Sequence, residues 1–196
     1  FELAERLGDP NVLARCYSNL GMLSMDSGEL EKASKYFEQG LKIAVENNRT
    51  EPALRLYNSL SGFYYLTGEL QKMFETAQKG SELAKKVGDV RNIAWTEWWL
   101  AVSYANMGEM QKAKSMFEDI LALDKRIKQT PHISWSLFAL GVGHCWLGEW
   151  DKGLQYLMEA RDIAKKTGEW IISGSAATWL GELFMEMEDY VEAEKY

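Results

Sequence analysis

Apolar positions recur along this chain at helical spacing, and the whole pattern returns every 40 residues. Tyr17, Leu20, Gly21 and Ser24 stand at i, i+3, i+4 and i+7, one face of a helix. Tyr57, Leu60, Ser61 and Tyr64 repeat that face, as do Leu137, Leu140, Gly141 and His144. A second stripe follows each time: Ala33, Phe37 and Gly40, then Ala113 and Phe117, then Gly153, Leu157 and Ala160. The longer period shows in aligned stretches such as LGMLSMDSGELEKA (20–33), LSGFYYLTGELQKM (60–73), LAVSYANMGEMQKA (100–113), LGVGHCWLGEWDKG (140–153) and LGELFMEMEDYVEA (180–193).

Two turn signals divide each repeat. Gly28, Gly68, Gly108 and Gly148 each precede a glutamate, and Glu188-Asp189 takes that place in the last copy. Midway lie Gly8-Asp9, Asn48-Arg49, Gly88-Asp89, Lys128-Gln129 and Gly168-Glu169. Glycine just after a periodic apolar segment stops a helix, and an acid just beyond suits the start of the next. Each repeat therefore predicts two helices of about 16 residues, about 24 Å long. A small residue on one (Gly21, Ser61, Ala101, Gly141, Gly181) faces a large one on the other. One hairpin cannot bury both faces, so hairpins must stack. The expected fold is all-α, a solenoid of antiparallel helix hairpins.

The expected divisions are one array over 1–196, with 1–8 the tail of a preceding repeat. The repeats themselves run 9–48, 49–88, 89–128, 129–168 and 169–196, the last truncated. FELAERLG at the start matches SELAKKVG at 81–88, and neither end carries a polar cap. The expectation is a segment of a longer protein whose uncapped ends self-associate or fray.

Composition narrows the function. Hydrophobic residues make up 46% of the chain, enough for a large core. The net charge of −7 argues against nucleic acid and against an anionic membrane surface. Cys16 and Cys145 form no disulfide framework, which points to a reducing, cytoplasmic setting. The least charged stretch, TPHISWSLFALGVGHCWL (130–147), holds two histidines and a proline and fits the repeat, so it reads as a hairpin helix rather than a membrane span.

These positions resemble the tetratricopeptide repeat. The best matches are Tyr17, Leu20, Gly21, Gly28, Ala33 and Phe37, and again Leu100, Tyr104, Gly108, Ala113 and Phe117. The family's usual unit has 34 residues, and this one is longer. Long units are similar to those of Pins-type scaffolds, kinesin light chains, and the sensor segments of signalling ATPases and maltose-type transcription activators. The resemblance implies a right-handed superhelix whose first helices line a concave groove.

No catalytic constellation emerges. His144 and Cys145 are adjacent but point about 100° apart on a helix, with no further ligand at i+3 or i+4, so no metal or cofactor is expected. His144 stands in the column of Tyr64, Tyr104 and Phe184 and reads as a packed aromatic. Cys145 lacks an evident base. A chaperone-tail clamp needs groove cations, and none of three registers supplies them.

The columns implied to face the groove are polar in the early repeats and aromatic later. They give seven candidate binding residues: Arg55, Asn58, Trp95, Trp98, Trp135, Phe138 and Trp146. Helical spacing leaves both packing and groove exposure open for Trp95, Trp98, Trp135 and Phe138. It favours packing for Trp99 and Trp179, and turn positions for Trp150 and Trp170, where each is expected to cover a helix end. The expected function is a non-enzymatic scaffold that binds a peptide, or another segment of its own protein, in an aromatic groove. The alternative is a small-ligand sensor segment of a larger signalling ATPase, cyclase or transcription regulator.

Overall fold

The computed structural model describes residues 2–196. Phe1, the first residue of the expected N-terminal tail, lies outside the described residues. The elements are α1 (Glu2–Leu7), α2 (Pro10–Asp26), α3 (Leu30–Glu46), α4 (Thr50–Leu66), α5 (Leu70–Val87), α6 (Val90–Asn106), α7 (Met110–Ile127), α8 (Thr130–Trp146), α9 (Trp150–Thr167), α10 (Trp170–Glu186) and α11 (Tyr190–Ala193). Among the described residues there is no strand. The described residues form an all-α array of helix hairpins.

Nearly every turn is built the same way. After α2, the Gly28 amide donates to the Met25 carbonyl and the Glu29 amide to the Ser24 carbonyl. These two bonds close a helix end through a left-handed residue, here Gly28 at φ 75°. Positive φ recurs every 20 residues, and among the described residues the non-glycine positions that adopt it are Asn48 and Lys128 in the mid-repeat turn and Glu188 in the turn column of Gly28 (φ 53°, 56° and 59°). The turn therefore imposes its geometry even where the sequence omits glycine.

The helix pairs interlock through the small-against-large pattern. A Cβ on Gly21 would collide with the Phe37 ring, and one on Gly141 would lie 2.7 Å from Leu157 Cγ. Gly40 receives Tyr17 and Leu56, and Gly80 receives Thr96 and Tyr57. Phe37 and Leu157 are wholly buried as a result.

The chain forms two compact units, Phe1–Leu100 and Ala101–Tyr196. In the first, α2 pairs with α3 and α4 with α5; in the second, α8 pairs with α9 and α9 with α10. The second has a core cluster of Leu157, Leu180, Leu183 and Phe184.

Candidate binding surface

In the second compact unit the first-helix face is carried by α8 and α10. Trp135, near the start of α8, is half-buried and donates its indole N–H to Glu169 across 3.4 Å. Phe138 and Trp179 are partly buried against the Leu157 cluster. Trp146 is 60% exposed, and its ring lies 6.4 Å from that of Trp179 at 58°. Met185 on α10 is also exposed. The exposed aromatic late in α8 is therefore Trp146, beside the half-buried Trp179.

In the first compact unit, Arg55 is exposed, as are Tyr65 and Leu66 at the end of α4. Asn58 is half-buried and donates to Asn92, which in turn donates to Asp89 across 2.8 Å. That chain of amides ties α4 to α6. Trp99 lies over Gly62, where a Cβ would come within 3.1 Å of its ring, and 6.1 Å from Tyr65. Trp95 is half-buried.

Two expectations need correction. Trp98 is only 6% exposed and meets Trp99 edge-to-face at 4.9 Å, so it presents no accessible groove face. The cause is rotation along the helix: its ring points to the packed side, which a 3.6-residue period does not separate from the groove edge. Trp170 opens α10 yet is 79% exposed, so it covers no helix end.

His144 is a packed aromatic, buried and stacked on Tyr156 at 5.2 Å. It also reaches Glu149 through Nδ1 at 2.9 Å. Glu149 accepts from Lys152 as well, with Lys114 at 3.5 Å. Lys152 first, then His144, with Lys114 adding its charge, hold the Glu149 carboxyl down to about 2. Burial pushes the Cys145 thiol up, which lowers its thiolate fraction and so its reactivity. Among the described residues no three His, Cys, Asp or Glu side chains are grouped to hold a metal.

One buried cluster escaped the sequence reading. Asp124, His132 and Ser136 are all fully buried. Asp124 Oδ2 meets His132 Nδ1 at 2.7 Å and accepts from Ser136 Oγ at 3.1 Å. The signal was available: the column of Asp124 holds Ala44, Ala84 and Ala164 in the other repeats. The serine bonds to the aspartate, not to the histidine, so the histidine does not activate it as a nucleophile.

The tetratricopeptide repeat matches this sequence over residues 92–166 and again over 14–46. The chain belongs to the tetratricopeptide repeat family. No curated protein matches the sequence. Solved structures do share the fold. BtubC (BKLC) from P. vanneervenii is similar with a TM-score of 0.76 at 20% identity, over 99% of this chain and 82% of that one. A Rap protein complexed with Competence and Sporulation Factor matches at 0.75 and 14% identity, over 98% of this chain and 64% of that one. A signal transduction ATPase with a tetratricopeptide repeat sensor, from Pyrococcus horikoshii, matches at 0.72 and 19% identity, over 95% of this chain and 30% of that one. Tetratricopeptide repeats are generally non-catalytic scaffolds. No helix among the described residues is long and apolar enough to cross a membrane.

Proposed function

We propose that this protein acts by binding and not by chemistry, as a scaffold that holds a peptide, or a segment of its own parent protein, against its first helices. The observation that carries this reading is Trp146, a large indole 60% exposed beside Trp179 on a helical face. Indole removes much apolar area from water while losing little rotamer entropy, which makes it a favourable anchor. Trp135, Phe138 and Met185 extend the same face, and Arg55, Asn58 and Trp95 supply a more polar counterpart in the first compact unit. The likeness to a Rap protein complexed with Competence and Sporulation Factor supports a regulatory binder. Two cysteines outside any disulfide suit the reducing cytoplasm.

The likeness to a sensor repeat of a signalling ATPase favours a second reading, in which the same tryptophans stack on a small flat ligand. Titrating an array of peptides and a panel of small metabolites, with tryptophan emission as readout, separates the two. A peptide whose affinity falls by about 2 kcal/mol in Trp146→Ala, with unfolding free energy changed by less than about 1 kcal/mol, supports the scaffold. Binding of small metabolites alone supports the sensor. Binding of either that ignores Trp146→Ala and Trp179→Ala overturns this site.

A further inference from the structure

The net charge of −7 is an average, and one edge of the second compact unit reverses it. Successive helices there run antiparallel and α8 packs on α10, so the α7–α8 and α9–α10 turns lie at the same end. Lys125 and Arg126 close α7, Lys128 forms the turn that follows, and Lys165 and Lys166 close α9. All five are exposed, and none takes part in the ion pairs of the described residues. Three carboxylates share the two turns and the two helical turns on either side of them. Asp124 is fully buried on His132 and Ser136, and Glu169 already accepts from Trp135. Only Asp162 among the three is exposed.

Cations in the last turn of a helix complement its macrodipole, which accounts for the four that close α7 and α9. It does not account for the apolar side chains beside them. Trp170, the first residue of α10, is 79% exposed, and Ile171 is 47% exposed. Pro131, one repeat earlier in the column of Ile171, is exposed as well. An indole that open to water contributes little to its own fold. The tips of two neighbouring turns thus present an apolar centre ringed by cations.

We propose that this edge rests on the anionic phospholipids of a bilayer surface, with Trp170 and Ile171 at headgroup level and the five cations on the lipid charges around them. Tryptophan favours that depth because its ring is apolar and its N–H still reaches water or headgroups. Each cation close to such a surface raises partitioning by about fivefold. The acids of the chain do not cancel this attraction. Glu149, Asp151, Glu186, Glu188 and Asp189 stand at the far ends of the same helices. With 17 residues α8 is about 25 Å long, about three Debye lengths at physiological salt. A flat surface suits these residues better than a peptide does, since they project from turn tips and line no groove. The edge lies at the opposite end of α8 from Trp146, so it is independent of the peptide face.

The test uses the full chain and phosphatidylcholine vesicles containing about one third phosphatidylserine. Co-sedimentation and quenching of tryptophan emission by brominated lipid are the readouts. The expected result is binding to these vesicles and not to phosphatidylcholine alone, weakening as salt rises. The double variant Lys125→Glu, Lys165→Glu lowers partitioning by about tenfold or more. Trp170→Ala lowers it too and removes most of the quenching. Trp150→Ala, 42% exposed at the opposite end of α9, changes neither. All four positions are exposed, and circular dichroism checks that the variants fold. The salt and lipid dependence of the wild type stands without them. Any of four results overturns the proposal: no sedimentation with anionic vesicles at about 1 mM lipid; equal binding to phosphatidylcholine alone; full partitioning in the lysine pair or in Trp170→Ala; or an equal loss in Trp150→Ala. An octaglutamate peptide or a short oligonucleotide that binds more tightly than the vesicles through these residues overturns the bilayer as the occupant.

Discussion

Asp124 shows how much one residue can change a repeat. A carboxylate at a fully buried column is tolerable only with partners, and His132 and Ser136 supply them. The next repeat solves the same three positions without polarity, using Ala164, Ile172 and Ala176, all buried. Breaking a buried pair leaves an uncompensated polar group, whereas replacing all its members by apolar residues is often neutral or stabilising. Asp124→Ala alone should therefore cost about 3 kcal/mol. The triple variant Asp124→Ala, His132→Ile, Ser136→Ala should fall within about 1 kcal/mol of the wild type or exceed it. Urea unfolding of the three proteins checks this, and equal losses in the single and triple variants would refute the account.

The turn is the element that repeats most strictly. Its left-handed residue satisfies carbonyls at one helix end and aims the next helix back along the first. Glycine adopts that conformation without steric cost, but Lys128 does so at φ 56° between α7 and α8. A side chain there costs about 1–2 kcal/mol, partly offset by the greater freedom glycine has when unfolded. Lys128→Gly should stabilise the protein by about 0.5–1 kcal/mol, read as a higher denaturation midpoint at unchanged slope. The opposite change, Gly148→Lys at φ 75°, should destabilise by a similar amount. No shift in either variant would mean that the turn is held by its neighbours alone.

At the scale of the whole molecule, each helix depends on the stripes of its neighbours, so local stability follows local burial. The short helix α11 contains no buried residue, and Tyr190 and Val191 are 62% and 72% exposed. Helices such as α4 and α8 bury eight and nine residues. Amide exchange should therefore be fast over Tyr190–Ala193 and slow through the middles of α4 and α8. Uniform protection from α8 through α11 would contradict that ordering.

The sequence by itself determined the helices, their boundaries to within a residue or two, and the family. Period 3.6 and period 40 are properties of spacing, and both survive folding unchanged. It also identified the left-handed turn column, including the three places that lack glycine, because alignment of repeats exposes a position whatever residue fills it. Direction around the helix was less legible. Trp98 and Trp146 both belong to an aromatic face by periodicity, yet one is 6% exposed and the other 60%. That outcome depends on which neighbouring side chains crowd the ring, and crowding exists only once helices pack. The Asp124 cluster has the same origin. It is a single-letter departure from a column, and its consequence depends on residues 8 and 12 positions away that only the tertiary structure brings into contact.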